Sequence, residues 1–177
     1  MELGLQTIRE DTAEAFGRGY AYPVFLEAVE RLHALDIPVT VHLIAGLPGE
    51  TKEDFLASVK EISRLPVTSV KFHLLYLLSG TRLAAQMDPA DLLSENAYID
   101  RICDGLAALR PDICVQRLTG DPPKDLLIGP AWCTDKPRIL NRIRHECKLR
   151  NIVQGCRFVP EQPEERIPHG TGYIDFI

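Results

Sequence analysis

The sequence lacks the features that would indicate a membrane-bound or secreted protein. No uninterrupted apolar stretch in its 177 residues approaches the ~20 residues that a membrane-spanning helix needs. No charged and then apolar leader ends in a small-residue cleavage site. With 45% apolar and 25% charged residues, we expect a cytoplasmic protein that folds as a globular domain.

Cysteine is present, but not in a pattern that indicates disulfides or a compact metal site. The five cysteines are odd in number, and no two of them are separated by only two or three residues. We therefore expect free thiols in a reducing compartment. Cys147 and Cys156 together would supply only two ligands, which do not close a site for an auxiliary iron–sulfur cluster.

The first half of the chain alternates strand and helix patterns. Predicted strands cover residues 1–6, 39–45 and 67–78. Predicted helices begin near Thr12, at Tyr22 and after Thr51, which is a suitable N-cap residue. Three successive βα units predict a parallel sheet with helices packed against it.

The second half is less regular, and most of its predicted elements are helical. The helices are expected at residues 80–87, 94–109 and 137–150, and residues 112–119 are a candidate strand. We divide the chain into residues 1–118, a C-terminal extension at 119–155 and a loosely ordered tail at 156–177, where proline and glycine are frequent and apolar residues few.

Polar side chains alternate with apolar ones along the three predicted strands. The polar face carries Glu2, Gly4 and Gln6, then Thr40 and His42, then Lys71 and His73. Burying such groups without partners would cost on the order of 1–3 kcal/mol each. Because parallel sheets bind ligands at the carboxyl ends of their strands, this face predicts a polar ligand cavity. An internal network of glutamate, lysine and histidine is the alternative.

Three segments, taken in this order and at this spacing, resemble the second half of the radical S-adenosylmethionine (SAM) partial (β/α) barrel. They are ELGLQTIREDTAEAFGRGY (2–20), VHLIAGLPGE (41–50) and KFHLLYLLSGTRLA (71–84). The likeness is strongest to the elongator-catalytic-subunit-like and YhcC-like branches. LIGPAWCTDKP (127–137) is more similar to the YhcC-like branch.

The resemblance implies an α/β fold, a SAM cofactor and a set of site residues. The residues it assigns to SAM are Gln6, Arg18, His42, Gly46, Leu75 and Tyr76. Candidates for the wall of a substrate cavity are Glu2, Lys71, His73 and Trp132, although a packing anchor is the favoured interpretation for Trp132. The arginine at position 18 would bind the carboxylate of SAM as a planar fork.

The sequence departs from the family pattern in two respects. His42 occupies a position that is often acidic in the family, and the chain contains no C-x3-C-x2-C. In the family these three cysteines hold a [4Fe-4S] cluster early in the barrel. We therefore expect a C-terminal part of a radical SAM enzyme that cannot reduce SAM by itself. Such a half barrel would expose its first strand as an open edge, for which we expect poor solubility or oligomers.

Two other functions and one macromolecular partner stay open at this stage. The chain could be a binding module for a nucleotide or RNA without redox chemistry, or an unrelated (β/α) enzyme that uses Glu2, His42 and His73 as acids and bases. Residues 136–150 carry six basic side chains and one acidic one. That helix is either a solvated basic surface or a contact for tRNA phosphates.

Overall fold

The computed structural model describes residues 1–160, in which helices pack on a four-stranded parallel sheet. The strands are β1 (Glu2–Gln6), β2 (Thr40–Ala45), β3 (Ser69–Leu74), β4 (Leu77–Leu78), β5 (Cys114–Arg117) and β6 (Leu127–Gly129). The helices are α1 (Glu10–Phe16), α2 (Tyr22–Ala34), α3 (Lys52–Ile62), α4 (Glu95–Ala108) and α5 (Lys136–Leu149). The parallel strands lie in the order β1-β2-β3-β5, and β4 pairs with β6 in a separate antiparallel ladder.

Burial alternates along the central strands β2 and β3, which confirms the predicted apolar face of the sheet. Val41, Leu43 and Ala45 on β2 are fully buried, as are Val70 and Phe72 on β3. This face packs against α3 and α4, whose buried residues include Phe55, Val59, Tyr98 and Ile102. The opposite face of β2 and β3 is only partly buried, so the two faces of the sheet meet different environments.

Local sequence explains where the helices begin. The Thr51 hydroxyl accepts from the amide of Asp54, and the Asp54 carboxylate accepts from the Thr51 amide at 2.8 Å. This reciprocal cap satisfies two amides that the first turn of α3 would otherwise leave unpaired. α4 and α5 have one-way caps: a side-chain oxygen of Ser94 accepts from the Ala97 amide, and one of Asp135 accepts from the Arg138 amide.

Two predicted elements have wrong boundaries. The strand predicted at 67–78 ends at Leu74, because the Leu75 amide makes the last bond to β2 (to Ala45 O, 3.1 Å) and the chain then turns to form β4. The helix predicted at 80–87 is only a 3-10 turn at Leu83–Ala85. Gly80, with φ of 79°, is in a left-handed conformation that a helix does not accept.

The residues after α5 are tied to the end of α4. The side-chain amide of Gln154 donates to Ile113 O at 2.7 Å, and the Gly155 amide donates to Leu106 O at 3.0 Å. The tail predicted at 156–177 therefore begins beside α4, and residues 161–177 lie outside the described residues. Within residues 1–160, no helix is long and apolar enough to cross a membrane.

A cluster of charged side chains joins α3, α4 and the end of α5. The Asp104 carboxylate is bound by Lys52, Arg150 and Arg157, and neighbouring Asp100 accepts from Lys52 at 2.6 Å and from Arg150 at 2.8 Å. Burial would raise the pKa of Asp104. The hydrogen bond from Lys52 and the charge of Arg150 outweigh it, so the pKa is lowered.

Candidate functional site

Polar side chains on β1, β2 and β3 form a connected network on the less buried face of the sheet. Glu2 accepts from Lys71 Nζ at 2.5 Å, and its other oxygen lies 2.8 Å from His42 Nε2. The register sets His42 directly opposite Lys71. The hydrogen bond from Lys71, followed by that from His42, lowers the pKa of Glu2. This is the internal network that the strand pattern left open.

A cavity of about 400 Å³ begins where this network ends, at the carboxyl ends of β1, β2 and β3. Its lining includes Gln6, His42, His73, Leu75 and Tyr76. The ring of His42 stacks on that of His73 with centroids 5.0 Å apart. The cavity volume lies within the range of small-molecule sites. The polar network and the cavity are thus both present, and His42 belongs to both.

Gln6 enters the cavity with an unusual backbone conformation. Its φ is 60°, which is rare for a residue with a side chain and costs on the order of 1 kcal/mol. The side chain folds back over Gly4, where an added Cβ would lie 2.4 Å from Gln6 Nε2. Gln6 Oε1 is buried without a hydrogen-bond partner among the described residues. The strand therefore bends to present an amide whose oxygen is unsatisfied.

His73 contributes a second unsatisfied atom to the same cavity. Its Nε2 is buried and has no partner within residues 1–160. Burial lowers the pKa of His73 to about 4, and the charges of His42, Arg117 and Lys71 act in the same direction. The imidazole is therefore neutral at pH 7 and can act as a hydrogen-bond donor or acceptor, but not as a resident cation.

Arg18 lies behind the end of β1 with its side chain 1% exposed. Its Nε donates to Tyr20 O at 2.8 Å, and Nη1 donates to Leu5 O and Thr7 O at 3.3 and 2.9 Å. Nη2 donates to both carboxylate oxygens of Glu10 at 3.0 Å. All five N–H groups of the guanidinium are thus in use within the chain. In this arrangement Arg18 fixes the bend that carries Gln6.

The turn after β2 lines a second, adjoining cavity of about 530 Å³. Gly46 has φ of 91°, and a Cβ there would lie 2.8 Å from Leu93, so the turn requires glycine. Glu50 and Arg101 are the buried ionisable groups of its lining. Burial raises the pKa of Glu50, and the charge of Asp54 adds to that effect. Burial lowers the pKa of Arg101.

The remaining sequence-predicted residue, Trp132, lines neither cavity. Its indole N–H donates to Leu93 O at 3.1 Å, and its ring lies 5.5 Å from that of Tyr98. These contacts match the packing anchor that the sequence analysis allowed. No group of three or more histidine, cysteine or acidic side chains in residues 1–160 could hold a metal ion.

Sequence analysis did not single out Glu50 or Arg101. Glu50 closes the segment VHLIAGLPGE and directly precedes Thr51, the N-cap of α3, and no role was assigned to it. Arg101 lies in the middle of α4 with no distinguishing spacing. The signal that could have found Glu50 is its place at the carboxyl end of a parallel strand.

Comparison with known proteins identifies the family. The chain matches the family model of the Radical SAM superfamily over residues 1–62 and that of the Radical_SAM C-terminal domain over residues 67–148. It is 38% identical over 160 residues to the uncharacterised protein YtqA of Bacillus subtilis, covering 89% of this chain and 50% of YtqA. The chain thus spans about half the length of this relative.

More distant similarities agree with this result. A tRNA-2-methylthio-N(6)-dimethylallyladenosine synthase of Syntrophomonas wolfei is 28% identical over 133 residues, covering 74% of this chain and 29% of that protein. The solved structure of archaeal Methanocaldococcus infernus Elp3 with an N-terminal deletion superposes with a TM-score of 0.77 at 20% identity. That match covers 86% of this chain and 36% of the Elp3 chain, and it confirms the α/β fold. The chain belongs to the radical SAM superfamily.

Proposed function

We propose that the cavity at the ends of β1, β2 and β3 is part of the SAM site of a radical SAM enzyme. The observation that carries this proposal is the pair of unsatisfied atoms, Gln6 Oε1 and His73 Nε2, in one cavity. Each would cost about 1–3 kcal/mol if left unpaired in the working protein. A ligand with several hydrogen-bonding groups removes that cost, and SAM is the cofactor of the superfamily.

Each proposed SAM residue has a distinct part in this site. Gln6 and His42 provide polar contacts, while Leu75 and Tyr76 flank the cofactor at the end of β3. Gly46 keeps the neighbouring turn close to the sheet. Arg18 supports the bend at Gln6; direct contact with the SAM carboxylate would require it to release Glu10. When bound to a [4Fe-4S] cluster, SAM supplies a radical in enzymes of this superfamily.

Replacing Gln6 with glycine should change SAM affinity and the free energy of unfolding in opposite directions. Glycine removes the strain of a positive φ, so we expect the free energy of unfolding to rise by up to about 1 kcal/mol. The same change removes the side-chain amide, so calorimetry should show SAM binding weakened at least tenfold. Asp36→Gly is the matched control, because Asp36 also has a positive φ (55°) and is exposed far from the cavity. Equal SAM affinity in Gln6→Gly and wild type would contradict the proposal.

We further propose that these 177 residues do not cleave SAM without a cluster supplied by other residues. No C-x3-C-x2-C occurs in the sequence, and the described residues offer no metal-binding group. After reconstitution with iron and sulfide under reducing conditions, we expect 5′-deoxyadenosine at background level only. Production above that of a reaction without iron would show that the chain holds a cluster by itself.

The proposal of a tRNA partner depends on the basic side chains of α5. Fewer of them are free to bind phosphate than the composition of the helix indicates. Lys136 is paired with Asp121, Arg142 with Glu95, and Arg138 with Glu95 and Asp135. Arg144 and Lys148, in contrast, are exposed. Phosphate binding by this helix would therefore depend on these two residues.

Charge reversal tests that surface. We expect the double variant Arg144→Glu/Lys148→Glu to weaken tRNA binding about tenfold at low salt. The slope of log affinity against log salt concentration should fall by roughly two, because two phosphate contacts are lost. Glu30→Lys on α2 serves as a control for the unspecific effect of charge. Unchanged affinity and salt dependence in the double variant would refute tRNA binding by α5.

A further inference from the structure

The second cavity contains two groups of opposite charge whose hydrogen-bonding capacity the described residues use only in part. Glu50 follows the turn after β2, and Arg101 faces it from α4. Apolar side chains form much of the remaining wall, including Phe16, Leu47 and Leu93. The cavity thus combines an apolar body with a carboxylate and a guanidinium.

Both charged groups have an unsatisfied atom. Glu50 is 8% exposed and hydrogen-bonds to Thr7, but its Oε1 has no partner among the described residues. Arg101 Nη2 donates a long hydrogen bond to the Glu50 backbone oxygen at 3.4 Å, whereas Nη1 is buried without a partner in residues 1–160. The two side chains attract each other across the cavity, but no hydrogen bond joins Glu50 Oε1 to Arg101 Nη1.

These two atoms define the ligand that would satisfy them. A cation alone would leave Arg101 unpaired, and an anion alone would leave Glu50 unpaired. A neutral amide would bond to both but would compensate neither charge, and hydrogen bonds between charged partners are roughly twice as strong as neutral ones. A molecule with an ammonium and a carboxylate pairs both groups at once.

We propose that the second cavity binds a zwitterionic small molecule of the amino-acid class, with its ammonium at Glu50 Oε1 and its carboxylate at Arg101 Nη1. An apolar side chain of the ligand would lie against Leu47 and Leu93, which line the same cavity. The site adjoins the proposed SAM site and shares Phe16 with it, but Glu50 and Arg101 line only the second cavity. Binding of the zwitterion can therefore be measured without SAM.

Leucine and two of its derivatives test the proposal on the unmodified chain. In calorimetric titrations without SAM, we expect L-leucine to bind, and both L-leucinamide (no carboxylate) and N-acetyl-L-leucine (no ammonium) to bind at least tenfold more weakly. Equal binding of leucine and either derivative would overturn the assignment of the corresponding charge. Absence of leucine binding up to tens of millimolar would overturn the proposal as a whole.

Substitutions then locate the site. We expect Glu50→Gln and Arg101→Gln each to weaken leucine binding at least tenfold. Glu30→Gln and Arg31→Gln make the same charge changes at exposed positions of α2 and should leave it unchanged. Binding that persists in both Glu50→Gln and Arg101→Gln would place leucine elsewhere and refute the site. Circular dichroism of each variant verifies folding, and the derivative series decides the question if a variant does not fold.

Discussion

Asp104→Asn is expected to lower the free energy of unfolding by about 3 kcal/mol. The wild-type carboxylate is only 10% exposed and is bound by Lys52, Arg150 and Arg157. Asparagine keeps the shape but removes the negative charge, so these cations would face one another with only Asp100 between them. Urea unfolding followed by circular dichroism measures the loss.

Asp112→Asn provides the matched control for this change. Asp112 is 71% exposed and, within residues 1–160, is paired only with Arg110, so its removal should cost at most about 0.5 kcal/mol. The pH dependence gives a second check. Because the folded state lowers the pKa of Asp104, its contribution is present above the unfolded value of 3.8 and is lost as pH falls through the lower folded value. Equal losses in the two variants would show that the cluster does not stabilise the fold.

Arg18→Lys is expected to destabilise the protein by about 2 kcal/mol although the charge is kept. Lysine has three N–H donors on one atom, and it cannot reach Tyr20 O, Thr7 O and both oxygens of Glu10 together. The bend at Gln6 would lose its support. We therefore also expect SAM affinity to fall, by about tenfold.

Arg31→Lys is the control for Arg18→Lys, because Arg31 is 78% exposed and its only ion pair in the described part of the chain is with Glu27 on the surface of the same helix. It should change stability by less than about 0.5 kcal/mol. If Arg18→Lys kept its stability but lost SAM affinity, Arg18 would be a direct ligand and not a support for β1. Thermal unfolding and calorimetry on the same samples distinguish these cases.

The alternation of polar and apolar residues predicted the sheet well wherever the two faces of a strand differ from each other in polarity. Along β2 the alternation of Val41, Leu43 and Ala45 with His42 and Ile44 fixed both the strand and its buried face. The same reasoning failed after Leu74, since Leu75, Leu77 and Leu78 continue the apolar run without a period. Their separation into β4 depends on pairing with β6, about 50 residues later, which no local pattern reveals.

The site was predicted in its residue types more than in its geometry. Gln6 was expected at the carboxyl end of a strand, whereas His73 was left open between the cavity wall and an internal network; both line the first cavity. The left-handed conformation of Gln6 could not be predicted, because glutamine has no preference for it. The use of every Arg18 donor by the chain, and the approach of Arg101 to Glu50 across 51 positions, depend on tertiary packing.

The two cavities share one wall, whose side chains line the first cavity on one side and the second cavity on the other; this wall is the partition between them. Ala15, Phe16, Leu83 and Gln86 contribute to both linings, and Ala15 and Gln86 are exposed. A molecule that shifts this partition from one side changes the space on the other. Thermodynamic reciprocity then requires that, if an amino acid alters the affinity for SAM, SAM alters the affinity for the amino acid by the same factor. Four side chains would thus set the cooperativity between the two ligands.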